Sequence, residues 1–190
     1  MINRLPVLET ERLILREVVE SDAKDLLSYL SKEEVVKHMG LTPFKTIDDA
    51  LEEIGWYHSI LENKSGMRWG ITLKEEGKVI GSCGFLNRSH KHYRAEIGFE
   101  LSNNHWGKGL AGEALVQVVQ YGFEQLEFER IEALIEPANL ASQKLVEKHG
   151  FIREGLLRNY EFTAGKFDDL YMYSMIKADF LNLHRKVEEG

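Results

Sequence analysis

The chain has little of what would take it outside the class of ordinary water-soluble proteins. A single cysteine, Cys83, stands among its 190 residues, which excludes an internal disulfide and fits a reducing compartment. There are only three prolines, no internal repeat and no low-complexity tract, so nothing marks a linker or domain boundary. A chain of this length is expected to form one domain, residues 1–190, around one sizeable core. No apolar run approaches the roughly 20 residues of a membrane span, and the opening Met1-Ile-Asn-Arg-Leu-Pro6 lacks a signal-peptide core. Excess positive charge is missing too: 24 Lys and Arg stand against 31 Asp and Glu, a net charge of −7. The basic residues are scattered, and even Arg88–Arg94 holds only three Lys and Arg. A nucleic-acid surface is therefore not expected, whereas an acidic protein suits a cationic partner such as an amine. The expectation is a cytoplasmic protein with neither a membrane nor nucleic acid as partner.

What is present is periodic. Arg94–Leu101 alternates, with Ala95, Ile97, Phe99 and Leu101 on one side and Arg94, Glu96, Gly98 and Glu100 on the other, the period of a sheet strand. Glu11–Val18 alternates as well. Met67–Lys74 and Lys78–Phe85 read as a hairpin about Glu75-Glu76-Gly77, followed by a polar bend at Asn87–His92. Helical spacing joins Ala23, Leu26, Leu27 and Leu30 behind a cap at Ser21 or Asp22. It also joins Ile47, Ala50, Leu51, Ile54 and Leu61 behind Thr46, and Leu115, Val119, Phe123 and Leu126 within Ala111–Leu126. Ile131, Ala133 and Ile135 alternate up to Pro137, and Asn139 and Gly150 bracket a short helix as N-cap and terminator. Residues 156–163 and Leu170–Ile176 form a last pair of strands, the second apolar on both faces like a central, covered one. Strands outnumber crossover helices. This predicts a mixed α+β fold, a mostly antiparallel sheet with helices on its faces.

Between the strand at 94–101 and the following helix lies Trp106-Gly-Lys-Gly-Leu-Ala-Gly112, with three glycines in seven residues. Such a strand-to-helix turn leaves main-chain amides unshielded in front of a helix dipole, a setting for phosphate oxygens. Glycines also occur in tight turns simply because they tolerate positive φ. The P-loop needs four residues between its first Gly and a Gly-Lys-Ser/Thr, and no such run exists. A dinucleotide-binding fold needs strands alternating regularly with helices around the turn, which the pattern here lacks. A phosphate cradle of another kind survives.

The strand Arg94–Leu101, the loop Trp106–Gly112 and the segment Asn139-Leu-Ala-Ser142 … Leu145-Val-Glu-Lys-His-Gly150-Phe151 together resemble the GNAT superfamily of acetyl-CoA-dependent N-acetyltransferases. With the opening Glu9-Thr-Glu-Arg-Leu-Ile-Leu-Arg16 and the closing Gly155-x-x-Arg158 … Gly165-x-x-x-Asp169-x-x-x-Tyr173, they are similar to its RimJ/RimL-type branch, which acetylates the N-termini of ribosomal proteins. The resemblance runs from Leu8 to about Phe180. It implies a GNAT-type sheet of about seven strands, splayed at the cofactor site and flanked by about four helices. It also implies acetyl-CoA as cosubstrate and no metal. Trp106, Gly107, Lys108, Gly109, Leu110, Ala111 and Gly112 would hold the pyrophosphate. Phe99, Glu100 and Leu101 would pair with the pantetheine arm, opposite Ile131–Ile135, with Asn139 and Ser142 beside it. The superfamily often opens its loop with Arg or Gln. Trp106 stands there instead, as an aromatic does in this branch, and amides rather than that side chain do most of the holding. The branch further implies Glu161 as base and Ser142 as proton donor to the departing thiolate. The acceptor would be a protein N-terminus or a small-molecule amine, and the protein a monomer or homodimer.

The chemistry is consistent with those roles and leaves rivals open. The nucleophile must be a neutral amine, and a protein α-amine, with a pKa near 7.7–8.0, is already about a third neutral at pH 7.5. A lysine, near 10.4, would cost about 4 kcal/mol to deprotonate there. One carboxylate therefore suffices for an N-terminal substrate. Glu96, Glu100 and Glu136 compete with Glu161 for that role. Val146 occupies the position where the wider superfamily often has a Tyr acid, so the thiolate takes its proton elsewhere or leaves unaided. Asn139 and Ser142 also make sense as a helix cap alone. His90, His92 and His105 lack the register of a metal site, Cys83 reads as core, and Trp56, Tyr57 and Trp69 as core or substrate groove. Two other functions fit the same residues: acetylation of an antibiotic, amino acid or polyamine, and a non-catalytic acyl-CoA sensor.

Overall fold

The alternation of Arg94–Leu101 is realised residue for residue in the computed structural model as strand β5, which describes the same eight positions. The structure describes residues 5–163 and 165–188, and side chains through Leu183. In chain order the earlier elements are β1 (Leu8–Glu9), β2 (Leu13–Arg16), α1 (Ala23–Leu30), α2 (Glu33–Val36), α3 (Ile47–Glu62), β3 (Met67–Leu73) and β4 (Val79–Ser89). After β5 come α4 (Leu110–Glu124), β6 (Arg130–Ile135), α5 (Leu140–Lys148), β7 (Ile152–Thr163), β8 (Lys166–Ile176) and α6 (Lys177–Glu188).

The strands form one sheet in the order β1-β2-β3-β4-β5-β6-β8-β7. Every neighbouring pair is antiparallel except β5 and β6, which run parallel. The fold class is as expected, with eight strands rather than about seven and six α-helices rather than about four among the described residues. Two of the extra pieces are very short, and the third is the twelve-residue helix α6, which the sequence pattern does not single out. β1 has two residues and α2 four, and the strand expected over Glu11–Val18 is confined to Leu13–Arg16. The polar bend expected at Asn87–His92 begins later, because β4 continues to Ser89. The last two strands start earlier than their alternation suggested: in β7 register shifts at Arg153/Gly155 and Leu157/Glu161 break the two-residue period, and β8 opens with the mostly polar run Lys166-Phe-Asp-Asp169. β8 does lie between two strands, although Tyr171 and Met172 keep partial exposure.

Two apolar cores sit on opposite faces. The larger packs Trp69, Phe85, Ile97, Leu101 and Ile131 against Leu115, Val118 and Phe123 of α4, Val146 of α5 and Phe180 of α6. The smaller packs Val18 and Val79 against Leu26, Tyr29 and Leu30 of α1, Val36 of α2 and Ala50, Ile54 and Tyr57 of α3. The caps expected at Thr46 and Gly150 form, whereas Asp22, ahead of α1, makes no side-chain cap bond because its carboxylate is taken by Arg16 and the Val19 amide. Thr46 Oγ1 accepts from the Asp49 amide at 3.3 Å to start α3, and Gly150, at φ +89°, ends α5 in the left-handed region that glycine enters freely. Among the described residues no helix is long and apolar enough to cross a membrane.

Candidate active site

Among the described residues the β5–α4–β6 segment is the one place where a helix links parallel neighbours, and there the sheet opens. β5 and β6 are paired only at Arg94↔Arg130, Ala95↔Ile131 and Glu96↔Glu132. Beyond that rung β6 stays with β8 through Ile135, and β5 stays with β4 through Leu101. Their facing edges part. The Ser102 amide donates to the Ile80 carbonyl at 2.7 Å, and amides alternate sides along a strand. The N–H groups of Phe99 and Leu101 therefore point into the gap.

The glycine loop stands where β5 leaves the gap. Gly107 and Gly109 have φ of +73° and +77°, and Gly109 is the N-cap of α4. That conformation suits glycine and turns successive amides to one side. No acceptor among the described residues takes the N–H groups of residues 107 to 112, and the first helical bond is made by Glu113 to the Gly109 carbonyl, at 3.1 Å. A Cβ on Gly107 would meet nothing within 4 Å, whereas one on Gly112 would lie 2.4 Å from His149 Nε2. The first glycine thus faces open space and the third is needed for helix packing. Trp106, half exposed, donates from Nε1 to the Leu101 carbonyl at 2.8 Å and pins the loop to β5. Lys108 Nζ turns back to the Asn104 carbonyl at 3.0 Å.

Asn139 caps α5, its Oδ1 accepting from the Ser142 amide at 3.1 Å. Glu136 follows the last residue of β6, and its Oε2 lies 2.7 Å from His38 Nδ1, which follows α2. The tip of the β7–β8 hairpin leans on the same segment, since a Cβ on Gly40 would sit 3.2 Å from Thr163 Cγ2. Glu161 is exposed on that hairpin. Its charge reaches Glu96, at the last β5–β6 rung, whose carboxyl is pushed up first by burial and then by Glu161 and Glu132, against a hydrogen bond from Asn87. Glu100 differs from its rivals. Its buried carboxylate is committed to Arg68 and to Ser82 Oγ, with Tyr29 OH at 3.4 Å, a poor setting for a proton acceptor. Among the described residues no cluster of His, Cys, Asp and Glu could hold a metal ion.

The sequence profile of the acetyltransferase (GNAT) domain matches residues 12–152. The chain belongs to the GNAT family. The uncharacterized N-acetyltransferase p20 of Bacillus licheniformis is 42% identical over 176 residues, covering 93% of this chain and 99% of p20. More distant is the [ribosomal protein uS5]-alanine N-acetyltransferase of Escherichia coli, 26% identical over 182 residues, 91% of this chain and 92% of that protein. The microcin C7 self-immunity acetyltransferase MccE, solved with acetyl-CoA and AMP, shares the fold at a TM-score of 0.79 and 24% identity, over 88% of this chain and 93% of MccE. As a GNAT-family N-acetyltransferase the chain takes its acetyl group from acetyl-CoA. The residues present fit that cosubstrate: a row of unpaired amides before a helix for a diphosphate, and a parted pair of strands with free N–H groups for an amide-bearing arm. Assignment to the RimJ/RimL branch is not reached by these likenesses, since the ribosomal-protein relative is distant.

Sequence reasoning did not single out four residues that build this region: Arg12, Glu113, His38 and Arg68. Arg12 stood within the opening motif as a family signature without a role. The others carry no local signal, since each acts through a partner at least 32 residues away.

Proposed function

We propose that this N-acetyltransferase, one domain spanning the chain, acetylates the α-amine of protein N-termini of the ribosomal-protein kind. Glu161 serves as base and Ser142 as proton donor. The observation that carries the reading is the coincidence of the amide row at 107–112 with the parting of β5 and β6. Gly107 to Gly112, with the dipole of α4, bind the diphosphate, and the Phe99 and Leu101 amides hold the arm and stabilise the oxyanion of the attacked thioester. Trp106 fixes the loop against β5 and Lys108 ties it back to Asn104, Leu110 and Ala111 add the first helical amides, and Glu100 keeps β5 in place from the opposite face. Asn139 and Ser142 stand on the other side of the gap. Glu161 is free of protein partners among the described residues and within electrostatic reach of the last rung, so it is available to take the amine's proton. The Ser142 hydroxyl has no partner among the described residues and is free to donate. The distant likeness to an N-terminal acetyltransferase of ribosomal protein uS5 supports the acceptor class, and the low energetic demand of an α-amine suits a lone carboxylate.

Gly109→Glu puts a carboxylate where phosphate is to lie and is expected to abolish acetyl-CoA binding in calorimetry; undiminished affinity would remove the cradle assignment. Glu161→Gln is expected to lower turnover more at low pH than at high pH, and an unaltered pH–rate curve reassigns the base. Mass spectrometry of products from ribosomal-protein N-terminal peptides and a panel of small amines decides the acceptor. Acetylation confined to small amines overturns the N-terminal reading.

A further inference from the structure

The amide row carries a feature that works against an anion: a carboxylate in the first turn of the same helix. A glutamate there favours a bare helix, but it competes with a diphosphate for the same dipole and repels it. In this chain Glu113 is fully engaged by a segment about a hundred residues away. Its Oε1 accepts from Thr10 Oγ1 at 2.5 Å and from the Arg12 amide at 2.9 Å. Its Oε2 accepts from Arg12 Nε at 2.7 Å and pairs with Nη2 at 2.6 Å. The remaining nitrogen, Nη1, donates to the Lys108 carbonyl at 2.9 Å, and Nη2 lies 3.6 Å from where a Cβ of Gly109 would stand. Burial pushes the Glu113 carboxyl up, but the bonds from Thr10 and Arg12 outweigh it and hold the carboxyl below its ordinary range.

Two consequences follow from one guanidinium. Its charge cancels that of Glu113 at the mouth of the cradle. Its bond to the Lys108 carbonyl also sets a peptide plane, and in a trans peptide the Gly109 N–H points opposite to that carbonyl. Drawing the carbonyl to Arg12 turns the amide toward the diphosphate. We propose that Arg12 is a positioning residue for the diphosphate of the cosubstrate, with Glu113 and Thr10 as its anchors. This rests on the cradle reading above. The pair is a surface one, with the Arg12 side chain 45% exposed, and such pairs add little to stability. Its effect therefore falls on affinity rather than on folding.

Calorimetry with coenzyme A and with pantetheine, which lacks the diphosphate, tests this. Arg12→Met is expected to weaken coenzyme A binding about tenfold or more, roughly the effect of one charge-assisted contact. Pantetheine binding and the melting temperature should stay near wild type. Adding Glu113→Gln to Arg12→Met should restore part of the loss, because the uncancelled carboxylate is then gone. Wild-type coenzyme A affinity in Arg12→Met, or an equal loss for pantetheine, overturns the proposal. Should Arg12→Met fail to fold, Glu113→Gln alone decides. It releases the Arg12 charge, so coenzyme A affinity should fall more steeply with salt than in wild type, and an unchanged slope overturns the role. A wild-type protein that binds coenzyme A no better than pantetheine would instead sink the cradle reading itself.

Discussion

The two faces of the sheet are held by different chemistry. On the α4 side the contacts are mostly apolar: Trp69, Phe85 and Phe128 pack edge to face, with ring centroids 6.4 and 5.1 Å apart, and polar bonds such as that from Trp69 Nε1 to the Pro6 carbonyl lie at the margins. On the α1–α3 side an ion pair lies buried inside a polar network. Arg68, from β3, passes across β4 to Glu100 on β5, with Nε donating to Ser82 Oγ at 2.5 Å and the guanidinium over the Tyr57 ring at 5.6 Å. The route is open because Arg68, Gly84 and Gly98 share one row across three strands, and the guanidinium occupies the space a side chain on Gly98 would need. The network reaches β5 in the half that has lost β6. A dry face can rely on its many contacts, whereas a strand with one neighbour needs a specific tie. That is the registry role for which buried ion pairs are best attested.

If this contrast is right, single losses on the two faces should look alike and respond oppositely to a second change. Phe85→Ala on the dry face is expected to cost about 3–5 kcal/mol through lost burial and a cavity. Arg68→Met on the polar face should cost a similar ~3–5 kcal/mol by stranding the Glu100 charge. Adding Glu100→Leu to Arg68→Met should recover most of the loss, because the stranded charge disappears with it. Urea denaturation measures all three. A double variant no more stable than Arg68→Met would break the comparison. A smaller effect sharpens it. Ser82→Ala removes the hydroxyl that bridges Arg68 and Glu100 and is expected to cost about 1–3 kcal/mol. A loss near zero would mean that the ion pair alone ties the strands.

The division between the faces was half legible in the amino-acid sequence. Alternation placed β5 residue for residue and put Glu96, Gly98 and Glu100 together on one side. The helix signals at Thr46 and Asn139 were real caps, and the glycine loop stood where a strand meets a helix. What alternation does not carry is the identity of a strand's neighbour. Nothing local shows that β5 pairs parallel with β6 for three rungs and then parts from it, nor that Arg68 lies across two glycines of other strands. The same limit hid Arg12. Its partners Lys108 and Glu113 belong to the far half of the chain, and a surface arginine followed by apolar residues reads as a solvated strand end. The site was legible where chemistry is local, in the loop and caps. It was illegible where chemistry is made by register.

The smallest expected effect concerns Glu96, which lies on the polar face at the last rung before the strands part. Burial, then the charges of Glu161 and Glu132, raise its carboxyl above the ordinary range despite the bond from Asn87 Nδ2 at 2.9 Å. A raised folded-state value means that the contribution to stability is complete below the unfolded value, about 4.3 for glutamate. That contribution is lost as pH rises through the folded value. At neutral pH the ionised side chain is thus less welcome in the fold than in the unfolded chain. Glu96→Gln keeps an acceptor for Asn87 and removes the charge. It should raise the melting temperature slightly at pH 7, and the gain should vanish as pH falls below about 4. Melting curves from pH 3.5 to 8 check this. A gain that ignores pH, or a loss at pH 7, would show that the polar face tolerates charge at this rung as readily as water does. The contrast between the two faces would then rest on the Arg68–Glu100 pair alone.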